Sequence, residues 1–387
     1  MKTKKDENDF TKVINNINSY KKKDFSFSNG HILGSMCSSP HPIAKKVYSS
    51  FLETNLGDPG LFPGTKKIEQ HFISFIKNLM HAPDSSHGHI VSGGTEGNIT
   101  AMWIAKQLTH KKEIVVPSSA HFSFLKIARL MDMTLKTIPL SSDYTVEISA
   151  LKKAINSDTT AVLGIAGTTD VGAVDPISDI ATLCDEEHIF FHVDAAFGGF
   201  IIPFLNLLGY SVPVIDFSVN GISSISLDAH KMGYAAIPLG TILIREKKWI
   251  EEISVESQCV SSEKQAGILG TRSGAPVAAA YAVTQYLGMN GYKKIMKHCM
   301  QLTDYTAKRL QDIGLKLILE KPPLNILAVK LNHLDKIVDM LSKRGWKVNK
   351  ITHLSAIRIV IMPHITKEII DEFITVFQKT CREVGEL

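Results

Sequence analysis

The sequence predicts an α/β fold, a mostly parallel sheet flanked by helices, followed by a small C-terminal α+β domain. Two patterns carry this reading. Short apolar, β-branched runs alternate with amphipathic stretches from residue 66 to residue 244, as in a parallel sheet covered on both faces. After residue 310 the rhythm changes to strand, helix, two strands and helix, which suits a separate α+β unit. The chain has 387 residues, 44% of them hydrophobic, enough to build more than one core.

In chain order, residues 9–20 read as a helix within a polar arm that turns irregular through 30–36. The stretch Thr54-Asn55-Leu56-Gly57-Asp58-Pro59-Gly60-Leu61-Phe62-Pro63-Gly64-Thr65 is too rich in Gly and Pro for a regular element and reads as an ordered loop. Helices are expected over 66–80, 97–108, 123–131, 146–156 and 177–187, between strands at 88–91, 114–117, 135–138, 161–165 and 189–193. A strand at 222–227 leads into a loop, and one at 241–244 closes the sheet. Helices over 275–289 and 292–310 lead out of the domain. Strands at 326–331, 346–351 and 356–361 with helices over 336–344 and 367–384 complete the chain. The expected division is an arm over 1–50, a large α/β domain over 51–285, and a linking helix with the small domain over 286–387.

Composition removes several function classes. The 43 basic and 38 acidic residues give a net charge of +5, with much of the excess in the first 23 residues. These lysines read as a solvated arm, and no basic stripe interleaved with aromatics argues for nucleic acid. Five scattered cysteines form no Cys-x-x-Cys pair, which points to a reduced, cytoplasmic setting. No run reaches the ~18 apolar residues of a membrane helix, and no signal-peptide pattern opens the chain. His87 and His89 are close together, but nothing around them completes a metal site, so no metal is expected.

Ligands of open α/β sheets bind beyond the carboxyl ends of the strands, so the residues there carry the functional reading. Lys231 follows the 222–227 strand within Asp228-Ala229-His230-Lys231-Met232-Gly233. Taken alone it is a surface lysine; partly desolvated, its amine can attack an aldehyde. Ser92-Gly93-Gly94-Thr95-Glu96-Gly97-Asn98 opens a helix, either as a plain turn or as a phosphate cradle of free N–H groups. Asp194 ends an apolar strand, where a carboxylate is costly without a cation or donor beside it. His121 follows another strand end. Together these supply what pyridoxal 5'-phosphate needs: a lysine for its aldehyde, a helix N-terminus for its phosphate, a carboxylate for its ring nitrogen and an imidazole for its ring face.

The chain resembles the group II pyridoxal-phosphate-dependent decarboxylases, closest to the archaeal L-tyrosine/L-aspartate decarboxylase family. The likeness is collinear over almost the whole chain. It is carried by Gly34-Ser35-Met36-Cys37-Ser38, Glu53 to Phe62, Gly88-His89-Ile90-Val91-Ser92-Gly93-Gly94-Thr95-Glu96 and Ala120-His121-Phe122-Ser123-Phe124. It continues through Gly164-Ile165-Ala166-Gly167-Thr168-Thr169, His192-Val193-Asp194-Ala195-Ala196-Phe197-Gly198-Gly199, Ile268-Leu269-Gly270-Thr271-Arg272 and Arg358-Ile359-Val360-Ile361-Met362-Pro363-His364.

This resemblance implies the pyridoxal-phosphate-dependent transferase-like fold (fold type I). It implies decarboxylation of L-tyrosine to tyramine for methanofuran, of L-aspartate to β-alanine for coenzyme A, or both. Lys231 is then the residue linked to the cofactor. Asp194 binds the pyridine nitrogen, and His121 stacks on the ring near the substrate carboxylate. Gly94, Thr95, Thr168 and His230 hold the phosphate or the cofactor's face. The active site lies at a homodimer interface, Thr271 reaches the partner's phosphate, and Arg358 contacts the substrate carboxylate. The plainer reading of Arg358 is a surface salt bridge on an edge strand.

Two positions depart from the family pattern. Ala229 stands where relatives carry proline, which alters loop stiffness. The loop 257–262 holds no tyrosine, where relatives place one to return a proton to the α-carbon, leaving His121, Cys259 or water. Two rival classes are a carbon–carbon lyase of the sphingosine-phosphate-lyase type, which shares two of the motifs but usually carries a membrane anchor, and a non-catalytic protein of the same fold, which has no need to keep Lys231 and Asp194.

Overall fold

The structure is a computed structural model that describes residues 4–258, 261 and 264–387. Cys259 lies outside the described residues. The helices α1 (Lys4–Lys21), α2 (Pro42–Ser50) and α3 (Pro63–Leu79) precede the sheet. Then come β1 (His87–Val91), α4 (Gly94–Thr109), β2 (Glu113–Pro117), α5 (Ser123–Leu130), β3 (Thr134–Ile138), α6 (Ile148–Ala154), β4 (Thr159–Ile165), α7 (Ile177–Glu186) and β5 (Phe190–Asp194). The large domain continues with α8 (Ile202–Leu207), β6 (Ile222–Leu227), β7 (Gly240–Ile244) and a small ribbon, β8 (Val255–Glu256) with β9 (Lys264–Gln265). The C-terminal part holds α9 (Ala275–Asp312), β10 (Lys316–Leu317), β11 (Ile326–Lys330), α10 (Leu334–Lys343), β12 (Asn349–Ile351), β13 (Ala356–Val360) and α11 (Lys367–Val384).

The main sheet has seven strands in the order β1-β7-β6-β5-β4-β2-β3. From β6 to β3 all neighbours are parallel. Every residue of β4, β5, β6 and β7 is buried, as expected where helices cover both faces. The second sheet, β10-β11-β13-β12, is antiparallel throughout.

One expectation needs correction. The strand at 241–244 does not close the sheet: β7 lies between β1 and β6, antiparallel to both. Residues 228–239 contain no helix, so the chain returns beside β6 in the opposite direction, because a parallel return needs a long crossover. The two helices expected at 275–289 and 292–310 are present as the two arms of α9, separated by a break at Gly288 (φ 55°, ψ −175°) that glycine adopts without strain. Residues 31–36 are anchored: Leu33 N–H donates to the Lys347 carbonyl at 2.8 Å, and Val360 N–H donates to the Leu33 carbonyl at 2.7 Å. Helix α2, missed in the sequence, starts with His41 accepting from Ile43 N–H and Pro42 in the first turn, a favoured helix start.

One long-range contact and one within the loop fix the chain after β6. Tyr292 in α9 donates its hydroxyl to the Gly233 carbonyl at 2.9 Å, and Ala235 N–H donates to the Ala229 carbonyl at 3.1 Å. A Cβ at position 233 would lie 2.6 Å from that Ala229 oxygen, so only glycine fits the turn.

Candidate active site

Register brings the strand ends together. Asp194, the last residue of β5, pairs with Ile165 on β4 and with Ser226 on β6. Val91 at the end of β1 faces Gly240 at the start of β7. Beyond these ends lies a cavity of about 310 Å³ lined by Gly94, Thr95, His121, Asp194, His230 and Lys231, together with Met36, Ser119, Gly167, Thr169 and Asp228. Six of the nine residues singled out in the sequence thus share one cavity wall.

Helix α4 starts at this wall without a side-chain cap. Gly93 (φ 154°) takes a backbone conformation that side-chain-bearing residues rarely adopt. Ser92 N–H donates to Glu96 Oε2 at 2.7 Å, and no side chain occupies the first turn's remaining N–H groups, so they are open to an anion. Lys231 Nζ lies 3.2 Å from Asp228 Oδ2, and His230 Nε2 lies 3.8 Å from the same oxygen. His230 Nδ1 is 2.7 Å from the Leu239 carbonyl, which orients its ring.

Asp194 is 7% exposed. Its Oδ1 accepts from Ala196 N–H at 3.0 Å and its Oδ2 from Asn98 Nδ2 at 2.8 Å. Both oxygens are pinned, and lone pairs remain for a donor in the cavity. Burial lowers the His121 pKa, with Asp194 opposing the shift and Lys231 adding to it. His192 does not touch Asp194 directly. Its Nε2 lies 3.0 Å from Asn98 Oδ1, and burial lowers its pKa to about 4.

Three singled-out residues stand apart from the cavity. Thr168 commits its hydroxyl to Ala173 N–H at 2.9 Å, while its neighbours Gly167 and Thr169 reach the wall. Thr271 is exposed on the chain surface. Arg358 is 7% exposed, so it is no surface salt bridge. Its Nη1 donates to the Thr169 carbonyl and its Nη2 to the Gly34 carbonyl, both at 2.8 Å, and its Nε has no partner.

The sequence reading assigned no role to Asn98, Ser123 or Asp228. A signal existed for Asn98: it shares a helical face with Ala101 and Ala105, both fully buried, and a polar side chain on such a face needs partners. Cys37, quoted within a family motif, was given no role either. Burial raises its pKa, while nearby Lys231 pulls it down. His87 and His89 line a different cavity of about 230 Å³, and burial lowers their pKa values to about 4 and about 3. Among the described residues no cluster of three or more His, Cys, Asp or Glu side chains could hold a metal. No described helix is long and apolar enough to cross a membrane.

The cavity suits pyridoxal phosphate on the donors present: an amine, an uncapped helix N-terminus, a buried carboxylate with free lone pairs, and an imidazole at the wall. Comparison with known proteins agrees. Residues 5–331 match the pyridoxal-dependent decarboxylase conserved domain. The chain is 45% identical over 367 residues to the L-aspartate/L-glutamate decarboxylase of Pyrococcus horikoshii, covering 94% of this chain and 95% of that one. It is 43% identical over 371 residues to a probable L-tyrosine/L-aspartate decarboxylase of Methanosphaera stadtmanae, covering 94% and 95%. Among solved structures, Lactobacillus brevis glutamate decarboxylase superposes with a TM-score of 0.88 at 20% identity, covering 100% of this chain and 94% of that one. Burkholderia pseudomallei sphingosine-1-phosphate lyase also gives 0.88, at 21% identity, covering 97% and 90%. These last two are likenesses of fold, that of the fold type I pyridoxal-phosphate enzymes. With the domain match and the close relatives set beside a cavity that holds Lys231, Asp194 and the α4 N-terminus, this chain belongs to the pyridoxal-dependent decarboxylase family.

Proposed function

We propose that this amino-acid decarboxylase acts on L-aspartate, giving β-alanine, with L-tyrosine as the second substrate, giving tyramine. Aspartate is common to the names of the two relatives above, and a third, from Thermococcus kodakarensis, is named for L-aspartate alone. β-Alanine would serve coenzyme A synthesis and tyramine methanofuran synthesis.

The observation that carries the reading is the placement of Lys231 and Asp194 on one cavity wall with the open first turn of α4. Lys231 anchors the cofactor through its amine, and the N–H groups of Gly94 and Thr95 take its phosphate. Asp194 holds a proton at the ring nitrogen, and His121 packs on the ring. Bound pyridoxal phosphate supplies the electron sink for the pair left when carbon dioxide departs. Thr168 and His230 support the cofactor's face, Thr168 through the loop that carries Gly167 and Thr169.

Arg358 and His121 take the substrate's α-carboxylate. Support comes from a buried guanidinium whose Nε has no partner among the described residues, with the Asp170 carboxylate near it but in no direct ion pair. Such a cation is costly unless an anion meets it. His121, His230 and Lys231 are the basic side chains at the cavity able to hold the proton that returns to the α-carbon.

We also propose a cytoplasmic homodimer with the site at its interface, where Thr271 reaches the partner's phosphate group. Support comes from an exposed apolar stripe on α1, formed by Phe10, Val13, Ile14, Ile17 and Tyr20, at the helical spacing of a docking face. The break at Gly288 supports a division into an arm (1–50), a cofactor domain (51–285) and a C-terminal part (286–387).

The test is amine formation by the purified protein with pyridoxal phosphate from L-aspartate, L-tyrosine and L-glutamate, repeated with Lys231→Ala and Arg358→Lys. β-Alanine is expected from the intact protein and none from Lys231→Ala, with a raised aspartate KM for Arg358→Lys. Tyramine or γ-aminobutyrate alone would displace aspartate. Absence of every amine with the cofactor bound would favour carbon–carbon lyase chemistry.

A further inference from the structure

A buried line of hydrogen bonds runs behind the cavity, from β6 through α4 to His121. Ser226 Oγ donates to Asn98 Oδ1 at 2.8 Å, and His192 Nε2 lies 3.0 Å from the same oxygen. His192 Nδ1 is 2.8 Å from Ser224 Oγ. On its other side, Asn98 Nδ2 donates to Asp194 Oδ2 at 2.8 Å and to Ser123 Oγ at 3.3 Å. Ser123 Oγ lies 3.0 Å from His121 Nδ1, and Ser123 N–H donates to that nitrogen at 3.3 Å. Asn98 is 1% exposed, and Ser123, His192, Ser224 and Ser226 are fully buried.

The donors of this line can run in only one direction. A flipped Asn98 amide would set its oxygen against the Asp194 carboxylate, two acceptors with no proton between them. Unflipped, its oxygen receives Ser226 Oγ–H and His192 Nε2–H, and its nitrogen serves Asp194 and Ser123. At His121 the backbone N–H of Ser123 can only donate, a long contact at 3.3 Å that favours a bare Nδ1. Ser123 Oγ, accepting from Asn98, donates to Nδ1 as well. The ring proton of neutral His121 is thereby left on Nε2.

We infer that Asn98 is a positioning residue that serves two members of the site at once: it pins the Asp194 carboxylate, and through Ser123 it holds His121 in the Nε2–H tautomer, a donor available to a carboxylate in the cavity. The inference rests on the decarboxylase reading for its kinetic effects, but the tautomer and the cofactor's spectrum report on it whichever amino acid is the substrate. Buried networks of this kind orient the groups that touch the ligand, and losing one member costs on the order of 10- to 100-fold in function.

The test uses Asn98→Asp, which keeps shape but replaces the donor with an acceptor, alongside Asn98→Ala and Ser123→Ala. In the apo protein, ¹⁵N NMR of the histidine rings reads the His121 tautomer. The intact protein is expected to show Nε2–H, with a smaller Nε2–H fraction in Ser123→Ala, which keeps only the 3.3 Å backbone donor to Nδ1, and in Asn98→Ala, where the Ser123 hydroxyl is no longer held by the amide. In the holoenzyme, both Asn98 variants are expected to shift the pH dependence of the bound cofactor's visible absorbance and to lower kcat about 10- to 100-fold. Ser123→Ala is expected mainly to raise KM, since the carboxylate donor is loosened and Asp194 keeps its partner. Thermal unfolding of each variant controls for folding, and Ser123→Ala carries the tautomer test alone if the Asn98 variants do not fold. An Asn98→Asp enzyme with unchanged absorbance and kcat, or a His121 ring bearing its proton on Nδ1 in the intact protein, would overturn the assignment.

Discussion

Lys231 Nζ lies 3.2 Å from Oδ2 of Asp228, three residues earlier in the same loop, and that carboxylate is only 3% exposed. Oδ1 of Asp228 has no hydrogen-bond partner among the described residues. The amine proposed to hold the cofactor is therefore also the counter-ion of a buried acid. Removing it leaves a nearly unpaired charge inside the protein, with the imidazoles of His230 and His121 the basic groups left near it.

Lys231→Ala should accordingly do more than abolish the covalent cofactor link that borohydride reduction would trap. Without cofactor, it should unfold at lower urea, at a cost of about 1–3 kcal/mol for the stranded carboxylate. The double variant Lys231→Ala/Asp228→Asn should recover most of that loss. Equal stability of wild type and Lys231→Ala would show that the pair contributes nothing.

His192 gives a pH signature. Burial holds its pKa at about 4 in the folded protein, whereas an unfolded histidine titrates near 6.5. As pH falls below 6.5 the unfolded chain takes up the proton first, so stability declines, and the decline levels off below about pH 4. The slope for this one residue is on the order of 1 kcal/mol per pH unit. Urea midpoints at a series of pH values for wild type and His192→Gln should show the flatter acid limb in the variant.

Gly240 stands opposite the end of β1, behind the Gly93-Gly94-Thr95 turn proposed to take the phosphate. A Cβ there would lie 2.6 Å from Asp228 Oδ1 and 2.8 Å from Gly93 Cα, and neither backbone nor buried carboxylate can yield cheaply. Gly240→Ala should destabilise the protein by about 1–3 kcal/mol and weaken pyridoxal phosphate binding at least about tenfold, read by absorbance titration. Binding as tight as wild type would mean that the cradle is compliant.

The stripe on α1 tests the assembly. Phe10 and Ile17 are 68% and 57% exposed, and an apolar face of that extent on a charged helix fits a second copy. Ile14→Glu/Ile17→Glu should move the light-scattering mass toward that of one chain at micromolar concentration. A dimer that persists would exclude α1 from the interface.

Much of this protein was legible in its residues. Alternating apolar runs located each strand of the main sheet to within a few residues, because strand and helix periods are written locally. The family motifs named six residues that share the cavity wall, since each sits at a strand end and a strand end is also a local feature. Helix α2 was missed although His41 and Pro42 marked its start, as the polar arm around it masked the signal.

What the sequence alone determined is the set of elements and the chemical types presented at their ends: Lys231, Asp194, His121 and the Gly94-Thr95 turn. What only tertiary structure decided is which groups meet. The insertion of β7 between β1 and β6 sets Gly240 against Gly93, at the start of the Gly94-Thr95 turn. The pairing of β5 with β6 brings Ser226 beside Asp194 and over Asn98. The antiparallel C-terminal sheet carries Arg358 under Gly34 and Thr169. The reason is physical: periodicity and turn chemistry act over a few residues, whereas register and strand order follow from chain closure and shared burial among segments hundreds of residues apart.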